Sequence, residues 1–483
     1  MNQIILSTIN AKWIHPSLAL RLLKANLGSL ENSCDIIEFA LRQPLCEKTE
    51  PLLAAMMPNG YAKILGISVS IWNHLATLEL LKELDLKFSE NKYERPIIVL
   101  GGPEVSHLPE DAEIFKYTDY VIRGEGEIAF RLLCEDIFAG GIKFNKFINA
   151  QNVDVCEIKT AYHLYSNEDI TKKLIYVEAS RGCAFNCEFC LSAVKSESEK
   201  GNAVREFPLE PFFAEMDILI KSGVKTFKFL DRSININPKR SIQIIEFFLE
   251  KIRVNPRPSA DSSSNVVVHF EMVPSIFPQE LLEVLTHFPP GTLRLEIGIQ
   301  TLNPEIAARI GRICNPEKEL AALCYLREKT NAIIHADLIA GLPGEDLTSF
   351  GRGFDMLWNA IAPENPPLGA ELATPKTEIQ LGILKQLPGA PISRCNDSFK
   401  MRYNRLPPYE IEETSMMSAK DLQRLKNFAR FWELIINRGL KTPGNSPIFE
   451  KFMAFSDELY ASFSKNWGIN KAELLEKVSN CNL

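Results

Sequence analysis

The sequence predicts an α/β protein: an N-terminal doubly wound parallel sheet, then a partial (β/α)6 barrel, then a mainly helical C-terminal region. Three observations predict it. Short Ile/Val/Leu runs alternate with amphipathic stretches over residues 1–140, and a second alternating series begins near residue 171. Beyond about residue 388 the strand-like runs give way to helical spacing. At 483 residues the chain is too long for one ordinary core, so two or three domains are expected. The expected division is 1–140, a linker over 141–170, the barrel over 171–375, and the last barrel strand with a C-terminal domain over 376–483.

The elements follow in order. Ile4-Leu6, Cys34-Ile37, Ile64-Val69, Ile97-Leu100 and Tyr120-Ile122 read as strands buried on both faces. Leu18 to Leu27 and Leu75 to Leu86 carry apolar residues three and four apart, the mark of helices between them. A parallel sheet of about five strands follows, with ligands expected beyond its carboxyl ends. Those ends are Thr8 to His15, Ser70 to His74, Gly101 to His107 and Arg123 to Glu127. The second series has strands at Leu174-Ala179, Thr226-Leu230, Val266-Glu271, Leu293-Ile297, Ala332-Leu338 and Glu378-Leu384. Helices at Leu209 to Lys221, Ser241 to Ile252 and Leu347 to Trp358 separate them, which suits a partial barrel. Pro363, Pro366, Pro367 and Pro375 mark a surface loop before the last strand. Leu422, Leu425, Phe428, Phe431 and Trp432 then share a helical face.

Composition excludes several classes. A chain 46% hydrophobic and 24% charged is an ordinary globular one. No apolar run approaches a bilayer span, and Met1 leads almost directly into the first strand. Neither a membrane segment nor a signal peptide is expected, and a cytoplasmic location is. A net charge of −7 gives no reason to expect nucleic-acid binding. Eleven cysteines in such a chain are expected to be reduced thiols or metal ligands, not a disulfide framework.

Three of those cysteines form a CxxxCxxC: Cys183-Ala184-Phe185-Asn186-Cys187-Glu188-Phe189-Cys190. About 0.006 such triplets would arise by chance in this chain, so the spacing is meaningful. The motif follows the first strand of the second series, at the carboxyl rim where barrel enzymes build their sites. Three thiolates can hold three irons of a 4Fe-4S cluster and leave the fourth open to a ligand. Zinc is the rival, but it usually recruits a second compact Cys/His pair, and none follows. Inert buried thiols are the third reading.

With Phe189 before the last cysteine, the motif resembles that of the radical S-adenosylmethionine (SAM) superfamily, and the resemblance covers about residues 171–355. It implies that Cys183, Cys187 and Cys190 ligate a 4Fe-4S cluster whose open iron chelates SAM. Reductive cleavage then yields methionine and a 5′-deoxyadenosyl radical. Phe189 is implied near the adenine. Where the family has a Gly-Gly-Glu-like segment, this chain has Phe229-Leu230-Asp231-Arg232, so Asp231 and Arg232 are either SAM contacts or a strand-end ion pair. Glu271 ends the third strand, and Gly298-Ile299-Gln300-Thr301 and Gly341-Leu342-Pro343-Gly344-Glu345 are similar to segments near the adenosyl group; Gln300 is the implied contact.

The first domain contains Gly124-Glu125-Gly126-Glu127-Ile128-Ala129, formally a GxGxxA turn. It follows the fifth strand, and two glutamates would repel a pyrophosphate, so a dinucleotide is not expected. Placed before such a barrel, this domain resembles the cobalamin-binding domain of cobalamin-dependent radical SAM enzymes. The resemblance rests on Asn10-Ala11-Lys12-Trp13-Ile14-His15, Ser70-Ile71-Trp72-Asn73, Gly101-Gly102-Pro103-Glu104-Val105-Ser106 and Gly124 to Glu127. It implies corrin contacts from Asn10, Trp72, Gly101, Gly102, Glu104, Ser106, Gly124, Glu125 and Gly126. No histidine sits in a DxHxxG motif, and the rim histidines His15 and His74 read as hydrogen-bonding residues.

The C-terminal stretch, with Glu378 to Leu384, Arg402-Tyr403 and Pro407-Pro408-Tyr409, resembles a domain of unknown function found after the barrel in one bacterial branch of the family. It implies a lid over the barrel mouth, with Tyr403 and Tyr409 as pocket candidates. Taken together, the resemblance implies methylation of an unactivated carbon on an unidentified substrate, with flavodoxin or ferredoxin as electron donor. The alternatives are a cobalamin-assisted rearrangement, cyclisation or redox step, a non-catalytic iron-sulfur or corrinoid sensor, and a zinc scaffold.

Overall fold

The computed structural model describes residues 3–56, 62–91, 94–141, 144–193, 204–254, 266–362, 377–441, 443–444 and 447–479. The prolines at 363, 366, 367 and 375 and the last cysteine, at 481, lie outside them. The chain divides into two compact units: Met1–Arg181 with Arg205–Lys228 and Leu387–Gly389, and Gly182–Val204 with Phe229–Gln386 and Ala390–Leu483.

In the first unit, β1 (Ile4–Asn10), β2 (Cys34–Ala40), β3 (Ile64–Ser68), β4 (Ile97–Gly101), β5 (Tyr120–Arg123) and β6 (Phe147–Asn149) form one sheet in the order β2-β1-β3-β4-β5-β6. Every ladder is parallel. The order reverses between β1 and β3, which opens a crevice at their carboxyl ends. Strict alternation sorts the aliphatic residues between the two faces. Ile5, Ile9, Leu65, Ile67, Ile98, Leu100 and Val121 share a core with Leu52, Leu80, Leu84 and Phe88 of α2 (Leu45–Met56) and α3 (His74–Asn91). Ile4, Leu6, Ile64, Val99 and Ile122 pack with Leu20 of α1 (Leu18–Ala25) and Phe130, Leu133 and Cys134 of α4 (Gly126–Phe138).

The sheet has six strands where about five were expected. The extra one, β6, is three residues long and lies in the stretch 141–170 read as a linker. That stretch also folds α5 (Asn167–Lys172), which a capping box of Ser166 and Asp169 starts. The unit continues through β7 (Ile175–Val177), β8 (Ser180–Arg181), β9 (Arg205–Glu206), α6 (Leu209–Lys221) and most of β10 (Thr226–Phe229).

The second unit alternates α7 (Pro238–Val254), β11 (Val267–Met272), α8 (Gln279–Leu285), β12 (Leu293–Gln300), α9 (Pro304–Arg309), α10 (Pro316–Lys329), β13 (Ile333–Ala340), α11 (Leu347–Ile361) and β14 (Thr377–Ile383). The second sheet has the order β14-β13-β12-β11-β10-β7, so all six expected strands form. From β11 to β14 the ladders are parallel. Val268, Phe270, Leu295, Ile297, Ile334, Leu338 and Ile379 bury one face. The opposite face carries His269, Glu296, His335 and Glu378, and by alternation Glu271, Asp337 and Gln380.

The chain ends in the two-stranded ladder of β15 (Arg402–Tyr403) and β16 (Ile411–Glu413), then α12 (Ala419–Ile435), α13 (Phe449–Phe463) and α14 (Lys471–Ser479). The expected helical face is buried: Leu422, Leu425, Phe428, Phe431 and Trp432 are each no more than 1% exposed. Trp432 meets Phe354 edge-on at 4.8 Å and Phe452 at 4.9 Å, which fastens α12 to α11 and α13. Among the described residues, no helix is long and apolar enough to cross a membrane.

Candidate functional site

Gly182, with φ +92, turns the chain out of β8 into the cysteine loop, a conformation that side chains resist. The amide of Cys190 donates to the Cys187 carbonyl at 2.9 Å, and a short 3-10 turn over Leu191–Ala193 follows. The loop docks on the segment after α9. Glu188 N–H donates to the Ile310 carbonyl at 3.0 Å, and Arg394 grips the Glu188 carboxylate with two guanidinium nitrogens. Gly311 sits so close to the loop that an added Cβ would lie 2.4 Å from the Asn186 carbonyl oxygen. Arg312 then donates to Cys187 Sγ at 3.4 Å and to the Gly298 carbonyl at 2.7 Å.

The three thiols are neighbours. Burial pushes the Cys183 thiol up, a hydrogen bond from the Phe185 backbone opposes it, and the Cys187 and Cys190 charges add to the rise while Arg232 offsets it. Cys187 is buried, and Cys183 and Cys190 are partly exposed. Among the described residues, no three His, Cys, Asp or Glu side chains are gathered in ligating geometry. The fit to a cluster therefore rests on donor chemistry and proximity: three soft thiolates on an eight-residue loop segment, the set that iron-sulfur clusters take.

The polar face of the second sheet is organised in pairs. Glu296, His335 and Glu378 stand level on β12, β13 and β14. His335 Nδ1 lies 3.0 Å from Glu378, His269 Nε2 lies 3.2 Å from Glu296, and the two imidazoles stack at 5.8 Å. Barrel interiors are ordinarily packed with branched aliphatic residues, so this polar face is suited to a polar ligand. At the end of β12, Gln300 adopts φ +69 beside a register shift, and its amide lies over Gly298. Thr301 donates to Glu345, a carboxylate 1% exposed that burial pushes up to about 7.

The carboxyl rim of the first sheet presents apolar surface. Trp13 is 49% exposed and Trp72 51%, with Ile14 and Leu75 also open. Exposed aromatic side chains at such a rim suit a large planar ligand, and Lys173 Nζ already lies over the Trp13 ring at 5.0 Å. Glycines let the strand ends approach: a Cβ on Gly102 would lie 2.6 Å from the Val69 carbonyl oxygen, and one on Gly124 2.8 Å from that of Ala150. Ser106 Oγ donates to the Gly102 carbonyl at 2.9 Å and accepts from Gly124 N–H at 3.2 Å. Gly101 closes β4, and Gly126 opens α4.

Several polar and charged rim side chains have protein partners. Asn10 donates to Glu38 at 3.0 Å and lines a 390 Å³ cavity with Arg21, Glu38 and Asp169. Glu104, 3% exposed, pairs with His74 at 2.7 Å, and Tyr176 bonds His15 at 2.8 Å. Glu125 pairs with Arg205 and Arg181. The expectation of hydrogen-bonding rim histidines fits these contacts, whereas the carboxylates expected to reach a corrin point into ion pairs. Asp231 is 1% exposed at the end of β10, and Arg232 lies near enough to Cys183 to act on its charge. Phe189 is half-buried in the loop, and Glu271 stands level with Glu296 across β11 and β12. Tyr403 is half-buried with its hydroxyl toward Met401 Sδ at 3.7 Å, and Tyr409 has φ +56. The sequence reading missed Arg312; its only local signal is a Gly-Arg pair just after a short helix.

A radical SAM superfamily model matches residues 177–356, and a B12-binding domain model matches residues 5–133. The chain is 28% identical over 281 residues to "Uncharacterized methyltransferase PH0819" of Pyrococcus horikoshii, which covers 54% of this chain and 57% of that protein. It is 25% identical over 272 residues to bacteriochlorophyllide d C-12(1)-methyltransferase of Chlorobaculum tepidum, with 55% of each chain covered. The chain thus spans about half the length of the curated relatives it matches. Among solved structures, the cobalamin-dependent SAM radical enzyme OxsB superposes with a TM-score of 0.64 at 15% identity, over 95% of this chain and 71% of that one. The radical SAM methyltransferase TsrM of Kitasatospora setae, with cobalamin and a 4Fe-4S cluster bound, gives 0.59 at 16% identity, over 88% and 85%. At such identities the likeness shows the fold. The chain therefore carries a radical SAM domain and a B12-binding domain in one polypeptide, and the two imply a 4Fe-4S cluster, SAM and cobalamin as cofactors.

Proposed function

We propose that the enzyme methylates an unactivated carbon of a small polar substrate. The observation that carries this reading is the conjunction, in one chain, of the three-thiol loop and the exposed tryptophan rim of a doubly wound sheet. When bound, the cluster and SAM supply a hydrogen-abstracting radical and cobalamin supplies a transferable methyl group. Cys183, Cys187 and Cys190 hold the cluster, and the guanidinium of Arg312 orients Cys187 against the carbonyl of Gly298. Phe189, Asp231, Arg232, Glu271 and Gln300 are the SAM contacts in this reading. Trp72 and the backbone of Gly101, Gly102, Gly124 and Gly126 receive the corrin, with Asn10 and Ser106 at its edge. Glu104 supports that rim from its ion pair with His74, whereas Glu125 is turned away to Arg205 and Arg181. The polar face with His269, Glu296, His335 and Glu378 orients the substrate. An enzyme of this class needs a reductant; flavodoxin or ferredoxin and a cytoplasmic setting suit it.

The methyltransferase relatives support the reading. Anaerobic incubation of the reconstituted protein with SAM and a strong reductant tests it. Formation of both 5′-deoxyadenosine and S-adenosylhomocysteine is expected. 5′-Deoxyadenosine without S-adenosylhomocysteine would instead favour a rearrangement, cyclisation or redox outcome, and neither product would overturn the catalytic reading.

A further inference from the structure

Glu125 and Glu127, in the turn expected to face a corrin, are turned toward arginines. β8 and β9 pair antiparallel, with Arg181 opposite Arg205. These two residues therefore flank residues 182–204 in sequence, among which are Cys183, Cys187 and Cys190 of the cysteine loop. Arg205 grips the Glu125 carboxylate with both terminal nitrogens, at 2.8 and 2.5 Å, and donates to the Val153 carbonyl at 2.6 Å. Arg181 lies 2.7 Å from Glu127, 2.7 Å from Glu178 and 3.7 Å from Glu125. Val153 N–H donates to Glu125 at 2.8 Å, and the Phe207 ring lies against the Arg181 guanidinium at 5.8 Å.

The network is largely shielded from water: side-chain exposure is 8% for Glu127, 11% for Arg181 and Glu178, 21% for Glu125 and 24% for Arg205. Burial works to raise Glu125, but hydrogen bonds from Arg205 and Val153, and the charge of Arg181, hold it below the usual carboxylate range. A two-residue antiparallel ladder is marginal by itself. Bidentate guanidinium–carboxylate pairs add both strength and fixed geometry to it.

We propose that Glu125, the N-cap of α4, and Glu127, in its first turn, both within the B12-binding domain, anchor both stems of the cluster loop through Arg205 and Arg181. They are positioning residues: cluster assembly depends on the B12-binding domain even though every ligand lies outside it. The proposal rests on the assignment of Cys183, Cys187 and Cys190 to the cluster.

The test uses the full-length chain, reconstituted anaerobically with iron and sulfide and titrated separately with hydroxocobalamin. Arg205→Glu is expected to take up at most one-fifth of the iron of the parent protein while cobalamin uptake stays within twofold. The reversed pair, Glu125→Arg with Arg205→Glu, is expected to recover at least half of the iron, a rescue that general destabilisation would not produce. Normal iron uptake by Arg205→Glu, or no recovery in a folded reversed pair, overturns the anchor. Should Arg205→Glu lose cobalamin uptake as well, Arg205→Lys decides. Lysine keeps the charge without the bidentate grip, so iron is expected to fall about twofold with cobalamin uptake unchanged; full iron uptake overturns the proposal. A parent protein that takes up cobalamin but no iron fails one step earlier, at the cluster assignment, and the anchor falls with it.

Discussion

In the first sheet, β1, β3, β4 and β5 bury both faces in aliphatic side chains, and the residues proposed to face a ligand begin only where the strands stop, at Trp72, Gly102 and Gly124. In the second, β11 to β14 bury one face and line the other with His269, Glu296, His335 and Glu378. Both sheets come from the same βα alternation, so the contrast lies in what covers the second face. A sheet covered by helices on both sides leaves only its rim for a ligand. A barrel wall covered on one side keeps a face free for chemistry. The same kind of substitution therefore has different consequences in the two regions.

The largest effect is expected where the chemistry is concentrated. Cys187→Ala should reduce iron content to below a tenth of the parent and abolish SAM cleavage, with cobalamin uptake within twofold; parallel iron and cobalt assays check it. A matching fall in cobalt would break the assignment of the two cofactors to separate regions. Leu65→Ala, in the doubly buried sheet, should cost about 3 kcal/mol of stability, read as a shift in the urea transition that cobalamin loading reports. An unshifted transition would contradict the packing described for β3.

Glu345 gives a pH-dependent effect in the second unit. Its pKa is raised to about 7 by burial, so the folded protein holds a proton that the unfolded chain has already released. The carboxyl therefore costs nothing well below pH 4.5, and its destabilising contribution grows as pH rises toward 7 and then levels off. Relative to Glu345→Gln, the parent should lose about 3 kcal/mol of stability across that window. Denaturation curves of both proteins from pH 4 to 8 measure the difference, and a constant difference would contradict the raised value.

Smaller effects sharpen the contrast between rim and face. Trp72→Ala should weaken cobalamin binding about tenfold, or ~1.4 kcal/mol, in an absorbance titration. His335→Gln should leave cobalamin binding unchanged and shift stability by less than about 1 kcal/mol, because the face that carries it contributes little apolar burial. A large stability loss in His335→Gln would make that face a structural core.

Strands of the two sheets were legible because short runs rich in Ile, Val, Leu and Phe alternate with stretches of helical spacing. β6 was not, since Phe147-Ile148-Asn149 is too short for alternation to register. The cysteine loop was legible from spacing alone. The rim was legible as a place but not as a set of roles. Which partner reaches Glu104 or Glu125 depends on chain that returns from 30 residues before, at His74, or 80 residues after, at Arg205. Arg312 was hidden for the same reason: it meets Cys187 across 125 residues of sequence.

The central claim is that one chain holds an iron-sulfur cluster and a corrinoid. Elemental analysis of protein purified anaerobically with cobalamin and reconstituted with iron and sulfide tests it directly. The account predicts about four irons and about one cobalt per chain, with no stoichiometric zinc. Stoichiometric zinc with no iron would contradict it.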